Sequence, residues 1–202
     1  MPPHWDFEND DLRIRKAEVG LLGNNCYIVA CRQTRRSVIV DAAADPDRIV
    51  DLAADTDPIA ILTTHGHADH VEAATNVSAR LGIPMRLHRA DWDLCPIEAD
   101  SPLEPGNLAI GATNVLLVHT PGHTPGSTSI VTAGAVLTGD ALFPGGPGAT
   151  RFPYSDFDQI MDSLDRELFS LPDETIIMPG HGLDSTIGSE RPNLPEWRAR
   201  RW

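Results

Sequence analysis

Apolar residues follow two rhythms along this chain. The runs "NNCYIVAC" (24–31) and "SVIVDAA" (37–43) are rich in β-branched residues and flank a basic turn over Gln33 to Arg36, which predicts a strand hairpin. The spacing changes in "PDRIVDLAADT" (46–56), which reads as an amphipathic helix with Asp45 as its cap and Pro46 at its first position. "IAILTT" (59–64) is a buried strand, "VEAATNVSARLG" (71–82) a helix stopped at Gly82, and "IPMRLH" (83–88) the next strand. Residues 92–106 carry turn formers and no clear rhythm, and are expected to be an irregular excursion. "TNVLLVHT", "STSIVT" and "AVLTGD" then read as strands of a second sheet. "SDFDQIMDSLDRELFSL" is the clearest helix, with Ser155 as its expected cap and Phe157, Ile160, Met161, Leu164 and Leu168 on one face. No solenoid-length repeat recurs, and strands mixed with helices in this order imply sheets covered by helices.

Length and charge narrow the function without deciding it. A chain of 202 residues is expected to form one domain, residues 1–202, with enough length for a sizeable core. A net charge of −13 argues against nucleic-acid and anionic-membrane partners, which need many cationic side chains. Cys26, Cys31 and Cys95 have neither the density nor the spacing of a disulfide framework or a CxxC knuckle. No apolar run has the length of a membrane span, and the first residues lack the pattern of a secretory leader, so a cytoplasmic protein acting on a small molecule is expected. The oligomeric state is left open.

The chemistry concentrates in "THGHADH", directly after the run at 59–64. On a helix His65 and His67 would point to opposite sides, because each residue turns by about 100°. Gly66 between them favours a loop, in which both can face one point. Asp69 and His70 follow where the next helix begins. Imidazole and carboxylate are the usual donors to zinc and similar divalent ions, and the cysteines that typify structural zinc sites are missing from the cluster, so a catalytic metal is expected. His123 in "TPGHTPGS", Asp140 in "LTGDALF" and His181 in "IMPGHG" each sit in a turn after a strand-like run. Together these donors exceed what one tetrahedral ion can use, which implies two ions with open positions.

"THGHADH", "TPGHTPGS", "TGD" and "PGHG" in this order resemble the metal-binding motifs of the metallo-β-lactamase-fold hydrolases. The resemblance covers nearly the whole chain and implies an α/β (α+β) architecture, a four-layer αββα sandwich with the metals at one edge. It implies that His65, His67 and His123 hold one divalent ion, that Asp69, His70 and His181 hold a second, and that Asp140 bridges them. Zinc is the first expectation, and iron or manganese suits the same donors. Asp140 stands where the antibiotic-degrading lactamases use cysteine, and His70 where many of them use arginine, so the chain is similar to the glyoxalase II-like branch, in its single-domain bacterial form. The implied reaction is attack of a metal-bridging hydroxide on a thioester or related carbonyl, with Asp69 and Asp140 as catalytic carboxylates. Two divalent ions outweigh those carboxylates and one hydroxide, leaving a positive centre for a developing oxyanion.

The likeness thins outside these motifs. Glyoxalase II proper continues into a C-terminal helical region that binds glutathione, whereas "TIGSERPNLPEW" resembles the short ending of bacterial-type relatives, so glutathione specificity is not expected. After Asp140, "GGPGATRFPYSDF" departs from the glycine-arginine-threonine-aspartate pattern of many relatives. Arg151 is a candidate partner for an anionic substrate group and equally a plain surface arginine. Tyr154 either projects into the cleft, as a tyrosine does in related lactonases, or packs. Asp41 is a candidate partner behind a metal-bound histidine, or a turn-capping aspartate. His88 and His119, in strand-like runs, are expected to be structural. Other readings stay open: a persulfide dioxygenase with one ferrous ion on His65, His123 and Asp140, a lactonase-type or phosphodiesterase-type hydrolase, and a metal-stabilised binding protein without activity.

Overall fold

In a computed structural model of the chain, which describes residues 4–201, the strands form two principal sheets. The first contains β1 (Phe7–Glu8), β2 (Leu12–Val19), β3 (Asn24–Cys31), β4 (Arg36–Val40), β5 (Asp57–Thr63), β6 (Met85–Leu87) and β7 (Ser101–Pro102), side by side in that order. From β1 to β4 the pairing is antiparallel, and from β4 to β7 it is parallel. The change follows from the connections, since α1 (Pro46–Ala53) and α2 (Ala74–Leu81) supply the crossovers that parallel neighbours require.

The second sheet contains β8 (Gly106–Ile110), β9 (Thr113–His119), β10 (Thr128–Val131) and β11 (Ala135–Gly139). A small hairpin, β12 (Leu142–Phe143) with β13 (Gly146–Pro147), and α3 (Phe157–Ser163) come before β14 (Ile176–Pro179) and β15 (Ser185–Thr186) complete it. The chain then runs through α4 (Ile187–Glu190) to α5 (Leu194–Arg200).

Three apolar layers hold these elements, which is the αββα sandwich. Val29, Val38 and Leu62 of the first sheet pack against Leu117, Ile130, Leu137 and Met178 of the second. Ile28, Ile39 and Ile61, alternating with those positions along their strands, face the other way and cover Ile49 of α1 and Val77 of α2. Val136 and Ile177 do the same against Ile160, Met161, Leu164 and Trp197. A strand buried on both faces reads as continuous apolar sequence, as β3 does with every residue buried.

Three local expectations are corrected. Asp45 precedes α1 with a left-handed φ of 52° and makes no cap bond; its carboxylate accepts the Gly20 N–H at 2.9 Å instead. Asp156 rather than Ser155 caps α3, accepting the Gln159 N–H at 2.9 Å, while the Ser155 hydroxyl donates to the His123 carbonyl. Residues 92–106 are not wholly irregular, because β7 lies within them. Strands β1 and β2 escaped the sequence pattern, since "LRIRKAEV" places basic side chains among its apolar ones. Arg15 is buried there, and its guanidinium pairs with Asp55 at 2.8 Å.

Candidate metal centre

Every donor singled out in the sequence lies just past the end of a strand. His65 and His67 follow β5, with Asp69 and His70 in the single helical turn Ala68–His70; His123 lies between β9 and β10, Asp140 follows β11, and His181 follows β14. Strands of two packed sheets therefore empty into one edge, where their loops meet. Asp91, wholly buried, ties two of those loops together. Its carboxylate accepts from Gly66 N (2.8 Å), Thr124 Oγ1 (2.7 Å) and Gly126 N (2.6 Å). The approach is so close that a Cβ on Gly66 would stand 2.9 Å from the Asp91 carbonyl oxygen, so only glycine fits. Gly180 is required for the same reason: a Cβ there would fall 2.3 Å from Asp140 Oδ1.

The donor atoms converge in two overlapping sets. His67 Nδ1 lies 3.0 Å from His65 Nε2 and 3.1 Å from His123 Nε2. On the other side His181 Nε2 lies 3.3 Å from His70 Nε2 and 3.4 Å from Asp69 Oδ2. Asp140 stands between, with Oδ1 3.4 Å from His70 Nε2 and Oδ2 3.7 Å from His123 Nε2. Within each of three groups, His65–His67–His123, His65–His70–Asp140 and Asp69–His70–His181, the donor atoms all lie within 4.8 Å of one another. Tetrahedral zinc with bonds of 2.0–2.1 Å places its ligand atoms about 3.3 Å apart, so these spacings suit such an ion.

The tautomers make the case sharper. Each histidine gives its outward nitrogen to an oxygen: His65 Nδ1 to Thr64 Oγ1 (3.1 Å), His67 Nε2 to Tyr154 Oη (2.8 Å), His70 Nδ1 to Asp41 Oδ2 (2.9 Å), His123 Nδ1 to the Ala149 carbonyl (2.7 Å) and His181 Nδ1 to the Leu22 carbonyl (3.2 Å). Carbonyl and carboxylate oxygens only accept, so the rings of His70, His123 and His181 carry a hydrogen outward, and each ring, when neutral, turns a lone pair inward. Thr64 Oγ1 donates to Asp41 Oδ2 at 2.7 Å, which leaves it accepting from His65. With their rings neutral, four histidines and two carboxylates thus direct acceptors at one another across 3.3–3.8 Å, an arrangement that a cation resolves.

The electrostatics show where a proton competes for these inward positions. Burial first, then the neighbouring histidines, push His65 well below its usual range. Burial acts in the same direction on His70, but Asp41 and Asp140 outweigh it and raise that ring. His181 is raised by its hydrogen bond with Asp69, which in turn is held well below the carboxylate range. Burial works against the charge on Asp140, yet His70, His123 and His181 keep it ionised. Its Oδ1 is buried and receives no hydrogen bond, a position of strong unmet negative charge. Where such rings face carboxylates, protons and metal ions compete for the same lone pairs. The donor set fits a pair of divalent ions.

Comparison with known proteins places this arrangement. The model of the metallo-beta-lactamase superfamily matches residues 19–181, a span that holds every donor named above. The chain belongs to the metallo-beta-lactamase superfamily. Within it, the hydroxyacylglutathione hydrolase GloC of Haemophilus influenzae is 30% identical over 196 residues, covering 85% of this chain and 91% of its own. Among solved structures the B3 metallo-beta-lactamase BLEG-1 superposes with a TM-score of 0.83 at 28% identity, over 91% of this chain and 98% of its own. TTHA1623 in a di-iron-bound form gives a TM-score of 0.78 at 32% identity, over 88% of this chain and 96% of its own.

In this superfamily member the centre opens into a cleft of about 490 Å³, lined by Leu22, Phe143, Ala149, Arg151 and Phe152 beside His67, Asp69, His123 and Asp140. Arg151 is exposed at its rim, its guanidinium 5.5 Å from the Phe152 ring. Tyr154 stacks on Phe152 and meets His67 Nε2 through its hydroxyl. Asp41 holds a left-handed φ of 55°, and its carboxylate takes the Thr64 N–H, the Thr64 hydroxyl and His70. His88 and His119 stack at 4.3 Å, away from the donors. Sequence reasoning missed Asp91 and Asn24, whose side-chain amide donates to Asp69 Oδ2 at 3.0 Å. Asn24 sits inside a run that reads only as strand, and Asp91 at the edge of one that reads only as loop. Among the described residues no helix is long and apolar enough to cross a membrane.

Proposed function

We propose that this metallo-hydrolase cleaves thioesters, of the hydroxyacyl-thiol type, or closely related carbonyl compounds. His65, His67 and His123 would hold one divalent ion, Asp69, His70 and His181 a second, and Asp140 would serve both. Two such ions lower the pKa of bound water from 15.7 toward about 7 and polarise a substrate carbonyl. The single observation that carries the reading is the set of five outward-bonded rings whose inner nitrogens meet two carboxylates.

The chain's own groups have the remaining work. Asp69 lines the cleft and is held ionised by His181 and by the Asn24 amide, both at its Oδ2, so its other oxygen can orient the attacking water. Asp41 fixes His70, and Ala149 fixes His123, so neither ring needs to turn as charge develops. Leu22, Phe143 and Phe152 keep bulk water from the carbonyl. The departing thiolate has a parent pKa near 8.5 and leaves without a strong acid, which suits a cleft whose donors are committed to metal.

The test is elemental analysis of the purified protein beside rates on a thioester panel. The reading predicts about two divalent ions per chain, with thioester hydrolysis that a chelator abolishes and added metal restores. One iron per chain with oxygen uptake and no hydrolysis would replace it with the dioxygenase chemistry.

A further inference from the structure

Six large apolar or aromatic side chains are exposed among the described residues, and four of them, Leu21, Leu22, Tyr154 and Leu183, sit on loops around the metal centre. Leu21 and Leu22 form the tip between β2 and β3. Leucines at a loose tip would need no explanation, but this tip is pinned at both ends. The Asp45 carboxylate accepts the Gly20 N–H at 2.9 Å, and the Leu22 carbonyl accepts from His181 Nδ1 at 3.2 Å. A ligand-candidate histidine thus fixes the backbone carbonyl of Leu22 while the residue remains 69% exposed. Leu22 belongs at once to the cleft described above and to a second lobe of about 570 Å³, lined by Leu21, Ala44, Pro46, Asn24, Asp45, Asp69 and Glu72.

The charges differ between the lobes. The first has one cation, Arg151, among its lining residues; the second has none, and carries Asp45 and Glu72 beside its apolar wall. An anionic group placed in the second lobe meets the carboxylates of Asp45 and Glu72, with Asp69 a third where the lobe meets the metal centre, and no cationic side chain in the lining, whereas a hydrocarbon group covers Leu21, Leu22 and Pro46. We infer that the second lobe is the subsite for an uncharged, apolar part of the thioester, so that the substrates are apolar acyl thioesters of charge-poor thiols rather than thioesters of glutathione or other polyanionic thiols. The inference rests on the hydrolase reading and adds the substrate class.

Two series test it on the metal-loaded protein. Acetyl, butanoyl and hexanoyl thioesters of N-acetylcysteamine are compared with the same acyl groups on glutathione, and Leu21→Ser/Leu22→Ser is assayed beside the parent. In parallel the binding of S-ethyl, S-butyl and S-hexyl thioethers of N-acetylcysteamine, which cannot be hydrolysed, is followed by calorimetry. Burying a methylene corresponds to about fourfold in affinity at full burial, so in this open lobe kcat/KM and thioether affinity should each rise about two- to fourfold per methylene. The cysteamine compounds should outrun their glutathione counterparts by tenfold or more, and the double variant should flatten the chain-length series in both measurements. Hydrolysis with no chain-length trend, or with glutathione thioesters preferred, overturns the inference and leaves the hydrolase reading standing. If no thioester is cleaved, that reading falls, and the thioether series alone decides whether the lobe is an apolar subsite.

Discussion

The two donor sets that meet at Asp140 are built on different principles. His65, His67 and His123 are all imidazole, and two of them are buried. Asp69, His70 and His181 mix charge with imidazole, and two of them lie nearer solvent, the side chains of His181 and Asp69 being 27% and 30% exposed while His70 is wholly buried. The first set is held indirectly: Asp91 grips a backbone N–H in each of its two loops, and no carboxylate backs the rings themselves. In the second, Asp41 and Asn24 grip the donors directly. Neutral donors offer nothing that a counter-charge could pull into place, so their position has to come from the backbone. A charged set can be gathered by its own ion pairs. Asp140 stands between them and supplies negative charge to both.

That asymmetry gives a ranked series of expectations. Asp140→Ala should do the most, emptying both sets, with metal content falling below one ion per chain and hydrolysis by about a thousandfold or more. Asp91→Ala should separate the sets. It leaves the buried N–H groups of Gly66 and Gly126 without an acceptor, so denaturant unfolding should show a loss of about 3 kcal/mol. The ion on the three histidines should go, while the one on Asp69, His70 and His181 stays. If both ions leave together, the sets are not independently supported. Asn24→Ala should have the opposite selectivity and a smaller size, weakening the second ion about tenfold in a chelator competition and sparing the first.

The smallest effect concerns the scaffold behind the first set. His88 shortly precedes Asp91 and stacks on His119, which donates Nε2–H to the Pro125 carbonyl in the loop of His123. Burial, then His119, lower the His88 pKa from its ordinary 6.5. The unfolded chain therefore takes up that proton first, so the contribution of His88 is complete above about 6.5 and is lost as the pH falls below it. His88→Asn should make acid unfolding less steep in that window. An unchanged acid limb would remove His88 from the account.

The sequence revealed the donors better than their supports. The donors stand in one compact cluster and three glycine-marked turns, because a side chain must leave the strand end where the loop bends, and the local pattern records that bend. The supports act across distance. Asp91 reaches Gly66 and Gly126, and Asn24 reaches Asp69, by contacts that no periodicity encodes. The same holds for Tyr154: its residue type suggested the cleft, and the stack on Phe152 aims its hydroxyl at His67 Nε2. The layers of the fold were legible wherever apolar runs were unbroken, as in β3 and β5. In β2 the buried Arg15, paired with Asp55, hid a core strand behind a polar letter.

The most direct test is anomalous diffraction at the zinc edge from crystals grown with zinc. Two peaks are expected at the edge where the sheets meet, one among His65, His67 and His123 and one among Asp69, His70 and His181, with Asp140 between them. A single peak, or density in which His123 or His181 turns away from the other donors, would contradict the account.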